Sequence, residues 1–373
     1  MRVAVLGLRG FPGVQGGVEK HCEELYPRLA KLGCEVTVFT RSPYMENGSK
    51  IRYQDGIKFE NLWCPKKKSF EAIIHTFLGV IKSGNIRPDI LHIHAIGPAL
   101  LTPMAKVLGH KTVITHHGPD YEREKWGRVA KLILRSGEKS GVYSGDAIIA
   151  VSRLIKRTIE NKYKKAAVYI PNGVSIPDFV PAGAELKKLQ LEAGKYIFTA
   201  CRFVPEKGLH DLVEAYWKIK NPDFKMVIAG DADHETAYSR NLKKMCSETP
   251  GVVLTGYVTG LKKSELFSNA GLFVLPSYYE GLPIALLEAL GYNLPVLVSN
   301  IPQHGEIALN ANSYFQTGNT DDLANKIKQK LSEKKSCRET ENASNISLLK
   351  LEYNWDTIAE KTLEVYDKVS KSG

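Results

Sequence analysis

The sequence has no C-x-x-C pair and no cysteines at metal-ligand spacing; its six cysteines, at positions 22, 34, 64, 201, 246 and 337, are scattered. That excludes a disulfide-stapled scaffold and a zinc ribbon, and it fits reduced thiols in a cytoplasmic chain. Long apolar runs are missing too. No stretch reaches the roughly 18 apolar residues of a membrane span. The opening residues, MRVAVLGLRG, lack the apolar segment and cleavage site of a secretory signal. The expectation is therefore a cytoplasmic protein, with the sequons at Asn47, Asn342 and Asn345 read as chance matches. The glycine-rich loop GLRGFPGVQGGVEK (7–20) contains no G-x-G-x-x-G, so the dinucleotide fingerprint is not met.

What is present is length, charge and rhythm. At 373 residues the chain outgrows a single hydrophobic core, which predicts two domains. The formal net charge of +11 is lopsided: residues 1–170 hold 28 Lys/Arg and 15 Asp/Glu, whereas residues 171–373 hold 23 and 25. A basic half joined to a near-neutral one suggests that one domain meets an anionic surface or ligand. Nucleic acid, acidic lipid headgroups and phosphorylated small molecules all satisfy that condition.

Short β-branched runs at 2–8, 35–40, 89–95, 111–117 and 146–152 read as buried parallel strands, with helix-like segments between most of them. A Pro/Gly/Asn-rich stretch, IPNGVSIPDFVPAG (170–183), breaks the pattern, which restarts at 196–203, 225–231, 252–257, 272–277 and 295–300. The fold class expected is α/β, with two Rossmann-like domains facing across a cleft. Residues 1–170 form the first domain and 171–354 the second. The terminal segment from about 355 to 373 has helical periodicity, with Trp355, Ile358, Thr362, Leu363 and Tyr366 near one face.

Several residues at strand ends can carry chemistry. Gly16 and Gly17 open a helix, where small residues let an anion approach the amides; a tight turn explains them equally well. Arg202 and Lys207, just past a strand, can hold a diphosphate or form a solvated turn. His116 and His117 sit at another strand end, suited to a sugar hydroxyl or to capping the loop. His92 and His94 alternate on a strand, which favours packing over metal binding. SYYEGLPIALLEALG (277–291) is mostly apolar yet carries Glu280 and Glu288, and an unpaired buried carboxylate is costly. With a helix from Pro283 to about Leu290, Glu280 lies in the loop ahead and Glu288 inside. The backbone around Gly281, Leu282 and Ile284 then offers amides to an anion, and Glu288 can accept from a vicinal diol.

These segments together resemble family 4 glycosyltransferases of the GT-B fold. EGLPIALLE matches an E-x7-E motif, CRFVPEKG an Arg/Lys motif, and IPNGV, DILHIH, AIIAVS and EALGYNLPVLVS follow in matching order over nearly the full length. The N-terminal segment with KWGRVAKLILRSGEKS is most similar to bacterial rhamnosyltransferase-type members. The resemblance implies that Glu280 contacts the donor sugar and Glu288 the nucleotide ribose. It also implies that Arg202 and Lys207 neutralise the diphosphate without a metal, that His117 touches the sugar, and that Gly16 and Gly17 lie against the diphosphate. The C-terminal helix is implied to cross back onto the first domain. Two departures stand out: Cys201 replaces the usual glycine before the arginine, and IPQHGEI (301–307) replaces a G-x-P-E segment, leaving the role of Glu306 open.

The reaction so implied is transfer from a nucleotide diphosphate-sugar, UDP or dTDP, to a hydroxyl of a lipid-linked or cell-envelope glycan, with retention. No cofactor is expected. The rivals are a non-hydrolysing nucleotide-sugar 2-epimerase and a basic nucleic-acid-binding protein, although no nucleic-acid module is apparent. Asp231-Ala-Asp233 mimics a D-x-D metal motif but follows a strand where the family has a variable loop. Lys66, Lys67 and Lys68 beside FEAIIHTFLGVI, and Lys125, Arg128, Lys131 and Arg135, are candidates for a patch at the inner face of the membrane.

Overall fold

The computed structural model describes residues 1–45, 51–65, 71–122, 126–220, 223–333 and 345–372. Lys66, Lys67, Lys68, Lys125, Cys337, Asn47 and Asn342 lie outside them. Chain contacts divide the molecule into two compact units, Met1–Asn172 with Trp355–Gly373, and Gly173–Asn354.

The first unit is built on an eight-stranded sheet. Its strands are β1 (Arg2–Leu6), β2 (Glu35–Arg41), β3 (Ile51–Gln54), β4 (Ile57–Leu62), β5 (Ile90–His94), β6 (Thr112–His116), β7 (Ala147–Ala150) and β8 (Val168–Tyr169). They lie in the order β3-β4-β2-β1-β5-β6-β7-β8. Every pairing is parallel except β3 with β4. Helices cover both faces, so the central strands have no wet side; Val3, Ala4, Val5 and Leu6 of β1 are all buried. The β3–β4 hairpin was not anticipated. Asp55 and Gly56 turn it with positive φ at both residues (53° and 78°), the geometry an Asp-Gly pair adopts readily.

The C-terminal helix, Trp355–Lys371, belongs to this first unit. Trp355, Ile358, Ala359, Val365 and Tyr366 join Leu25, Tyr26 and Leu29 of the helix Gly17–Lys31 in one core. At roughly 1.5–3 kcal/mol per large buried apolar side chain, this seam fixes the helix firmly.

The second unit has six parallel strands: β9 (Tyr196–Ala200), β10 (Lys225–Ala229), β11 (Val252–Gly256), β12 (Leu272–Leu275), β13 (Val296–Ser299) and β14 (Tyr314–Phe315). Their order is β11-β10-β9-β12-β13-β14. The chain winds outward one way from β9 and the other way from β12. Between those strands lies a topological switch point, where open α/β sheets bind ligands at the strands' carboxyl ends. The first unit has its own between β1 and β5.

Candidate active site

In the second unit the switch point is lined by charge. Arg202 follows β9, and Lys207 closes the short 3-10 turn Pro205–Lys207. Glu280 lies in the loop after β12, ahead of the helix Ile284–Gly291. Pro283 is the N-cap of that helix rather than its first residue. The two loops are tied together: Tyr278 donates its amide to the Glu206 carbonyl at 2.9 Å. Gly208 adopts φ 61°, and a Cβ there would stand 2.1 Å from the Pro276 carbonyl oxygen. Only glycine permits so close an approach.

The approach brings Lys207 onto Glu280. Its Nζ donates to Glu280 Oε1 at 2.5 Å, and Ser277 Oγ donates to the same oxygen at 2.6 Å. Glu280 is buried. Burial alone pushes its pKa up, but the Lys207 charge, then His304 and the hydrogen bonds, outweigh it, and the net shift is downward. The carboxylate stays ionised. Arg202 Nη1 donates to Asp233 Oδ2 at 2.9 Å, and Glu288 accepts from Lys263 Nζ at 2.6 Å. Asp231 pairs with Lys243 at 2.8 Å, so each carboxylate of the D-x-D look-alike already faces a cation. Cys201 is half-buried beside this group, and its thiol is pushed up to about 12, first by desolvation, which keeps it protonated.

His304 was missed by the sequence reading. It is fully buried on the short helix Pro302–Gly305, and its Nδ1 donates to the Ser299 carbonyl at 2.8 Å. Ser299 Oγ in turn donates to the Ser277 carbonyl. A continuous polar chain thus runs from His304 to the Glu280 loop. Burial drives the His304 pKa down to about 4, so the ring is neutral. Glu306, whose role the sequence left open, caps that short helix and is half-buried.

In the first unit, the loop after β1 is braced by Arg9. Its Nε donates to Glu19 Oε1 at 3.0 Å, and both residues are largely buried. Gly16 has φ 159° and ψ 152°, and a Cβ there would meet Glu19 Oε2 at 2.0 Å. Gly17 opens the helix and faces open space.

At the end of β6, Gly118 donates its amide to His116 Nδ1 at 3.1 Å, which places the ring proton on Nε2. That Nε2–H donates to Glu138 Oε1 at 3.0 Å. Glu138, also missed, is buried and accepts from Lys162 at 2.6 Å and Tyr163 at 2.5 Å. Burial opposes its ionisation, but the His116, Lys162 and Tyr163 hydrogen bonds prevail and take its pKa to about 2. His116 therefore caps the loop that presents His117. His117 Nε2 lies 3.0 Å from His94 Nδ1. His92 and His94 are buried packing residues, stacked with ring centroids 4.2 Å apart. A cavity of about 400 Å³ beside the C-terminal helix is lined by Asp146, Val168 and Lys361, at the amino ends of β7 and β8, the wrong edge for a site of this class.

The family description "Glycosyltransferase Family 4" matches residues 15–176, and "Glycosyl transferases group 1" matches residues 184–345. An uncharacterized glycosyltransferase of Methanocaldococcus jannaschii is 24% identical over 95% of both chains. The UDP-Gal:α-D-GlcNAc-diphosphoundecaprenol α-1,3-galactosyltransferase of Escherichia coli is 31% identical over 57% of this chain and 58% of its own. Among solved structures, the sucrose-phosphate synthase of Thermosynechococcus elongatus superposes with a TM-score of 0.84 at 20% identity, covering 100% of both chains. The chain belongs to the family 4, group 1 glycosyltransferases.

This glycosyltransferase has the two-domain α/β architecture of the GT-B fold and draws on a nucleotide-sugar donor. Membership favours transfer over the epimerase and nucleic-acid readings. Within its second unit, Glu280 and Lys207 are in direct contact, with Arg202 near them at the end of β9. Glu288 stands further along the helix on its own ion pair with Lys263, and Gly281, Leu282 and Ile284 form the stretch between the glutamates. Gly16, Gly17 and His117 belong to the first unit. No helix among the described residues is long and apolar enough to cross a membrane.

Proposed function

We propose that this glycosyltransferase transfers a sugar from a UDP- or dTDP-sugar to a hydroxyl of a lipid-linked or cell-envelope glycan, retaining the anomeric configuration and needing no metal. The observation that carries the reading is Glu280, buried, ionised and bonded to Lys207 and Ser277 at the switch point. Cleavage of the glycosidic C–O bond leaves negative charge on the diphosphate. Lys207 and Arg202 are fixed cations beside that position, stabilising the charge as it develops. A carboxylate whose charge is shared with Lys207 and Ser277 is a weak nucleophile, so Glu280 acts as an acceptor for a sugar hydroxyl. Attack then comes on the front face, with the departing phosphate taking the acceptor's proton. Glu288 binds the ribose, the backbone of Gly281, Leu282 and Ile284 faces the diphosphate, Gly16 and Gly17 lie against it, and His117 contacts the sugar.

The acceptor class is supported by the Escherichia coli relative, whose name specifies a diphosphoundecaprenol-linked sugar. The helix Arg128–Ser144 exposes Val129, Leu132 and Ile133 beside Arg128 and Arg135. An amphipathic, basic face of this kind suits an anionic membrane surface, placing the enzyme in the cytoplasm against the inner leaflet. The decisive experiment is Glu280→Gln, assayed with a panel of UDP-, dTDP-, GDP- and ADP-sugars. Turnover with the preferred donor should be almost abolished while nucleotide binding stays near wild type. Unchanged turnover in this variant would sink the assignment, and loss of activity in EDTA would remove the metal-free mechanism.

A further inference from the structure

We propose that a buried chain of hydroxyls and imidazoles holds the His117 ring with its proton on Nδ1. Thr115, His92, Tyr366, Tyr26 and His94 form the chain, and Tyr26 and His94 are positioning residues for transfer. The inference rests on the reading that His117 contacts the donor sugar. All six side chains belong to the first unit, on β5, β6, the loop after β6, the helix Gly17–Lys31 and the C-terminal helix. His92 Nε2 lies 2.7 Å from Thr115 Oγ1. His92 Nδ1 lies 2.6 Å from the Tyr366 hydroxyl and 2.9 Å from that of Tyr26. The Tyr26 hydroxyl reaches His94 Nε2 at 2.5 Å, and His94 Nδ1 reaches His117 Nε2 at 3.0 Å. Five of the six are buried, and only His117 is partly exposed.

The chain has a direction. Among the described residues the Thr115 hydroxyl has no hydrogen-bond partner besides His92, so its proton is satisfied only by donation to Nε2. Burial takes the His92 pKa to about 3 and lowers those of His94 and His117, so each ring holds one proton at neutral pH. His92 then carries its proton on Nδ1 and donates to the phenol oxygens. The 2.5 Å separation of Tyr26 from His94 Nε2 suits an O–H donor, which approaches its acceptor more closely than an N–H does. Tyr26 also bonds Tyr366, and with its own proton committed to His94 it is the acceptor there. His94 therefore donates from Nδ1 to His117 Nε2, which leaves the His117 proton on Nδ1. With the opposite polarity the buried Thr115 proton would have no acceptor, and that costs free energy. His21 braces the same ring, crossing it at 82° with centroids 4.9 Å apart, and is itself tied through Nδ1 to Asn172 Oδ1 at 2.9 Å. A histidine held in this way offers a sugar oxygen an N–H rather than a lone pair. Through Tyr366 the C-terminal helix takes part in the site as well as in the core.

The test uses full-length protein with its ten histidines labelled with ¹⁵N, read by two-bond proton–nitrogen correlation. That spectrum separates protonated from bare ring nitrogens, and the signals missing in His117→Ala assign His117. The wild type should show a protonated Nδ1 and a bare Nε2 at His117. Tyr26→Phe keeps the ring but takes the donor from His94, so His117 should become a mixture of both tautomers. The same variant should lower kcat roughly 10-fold, the worth of one hydrogen bond, with the donor KM little changed. His117→Ala should itself lower transfer, and adding Tyr26→Phe to it should cost nothing more, because the chain acts only through His117. A proton on Nε2 in the wild type would overturn the proposal without any variant having to fold. An unchanged tautomer in folded Tyr26→Phe would overturn it too, as would additive losses in the double variant. Full transfer in His117→Ala, with the expected tautomer in the wild type, would instead overturn the sugar contact and with it the positioning role of Tyr26 and His94.

Discussion

Gly16 and Gly17 are neighbours, yet a methyl group should have different effects at the two. At Gly16 the backbone lies in a region only glycine occupies comfortably, and the new carbon would strike the Glu19 carboxylate that Arg9 holds. Gly16→Ala should therefore cost about 1–3 kcal/mol in backbone strain alone, seen as a lower melting temperature. Gly17→Ala meets nothing and sits in the first turn of a helix, so stability should stay within about 0.5 kcal/mol of wild type. If a diphosphate lies against Gly17, the donor KM of that variant should rise with melting unchanged; an unchanged KM would remove Gly17 from the donor site. At this scale the sequence made the charged candidates visible but not their partners. Arg202 meets Asp233, and Glu288 meets Lys263, across loops whose geometry no local pattern encodes. His304 and Glu138 escaped for the same reason: each is a single polar residue in an ordinary segment, and only the tertiary fold shows what it touches.

The elements themselves were far more legible. Buried parallel strands need continuous β-branched runs, and ten of the fourteen announced themselves that way. The two-residue strands β8 and β14 carry too little pattern to be seen, whereas the β3–β4 hairpin did have a signal, the Asp55-Gly56 turn, that went unread. Between elements, Glu138 is the joint. From the helix Arg128–Ser144 it reaches His116 at the end of β6 and Lys162 and Tyr163 of the helix Arg153–Tyr163. Removing the charge of a buried, multiply bonded carboxylate leaves Lys162 and His116 under-satisfied. Glu138→Gln should then destabilise the first unit by about 3 kcal/mol, measured by thermal or urea unfolding. It should also lower transfer, because the loop carrying His117 is held through His116. His116→Ala, which cuts only the loop contact, should lower transfer with a smaller loss of stability. Equal stability losses in the two variants would mean that the Lys162 and Tyr163 contacts add nothing and that Glu138 does not serve as a joint between the helices.

Across the whole molecule the histidines are distributed unevenly. Among the described residues, His21, His75, His92, His94, His110 and His117 of the first unit all have lowered pKa values, His21 to about 4 and His75 and His92 to about 3, in each case chiefly through burial. In the second unit only His304 does. A histidine whose folded pKa lies below the ordinary 6.5 binds its proton more readily when unfolded. Its stabilising contribution is complete above pH 6.5 and declines as the pH falls toward the folded value. Each such group gives a slope of up to about 1.4 kcal/mol per pH unit in that window. With more of these groups in the first unit, acid should loosen it first, between about pH 6.5 and 4, while the carboxylates of both units still hold their charge over most of that range. Hydrogen exchange read by mass spectrometry, corrected for intrinsic rates, should show protection in β1, β5 and β6 falling between pH 7 and 5. Protection in β9, β12 and β13 should fall less over the same interval. Parallel loss of protection in both sheets would mean that the buried histidines do not set the acid limit of the fold.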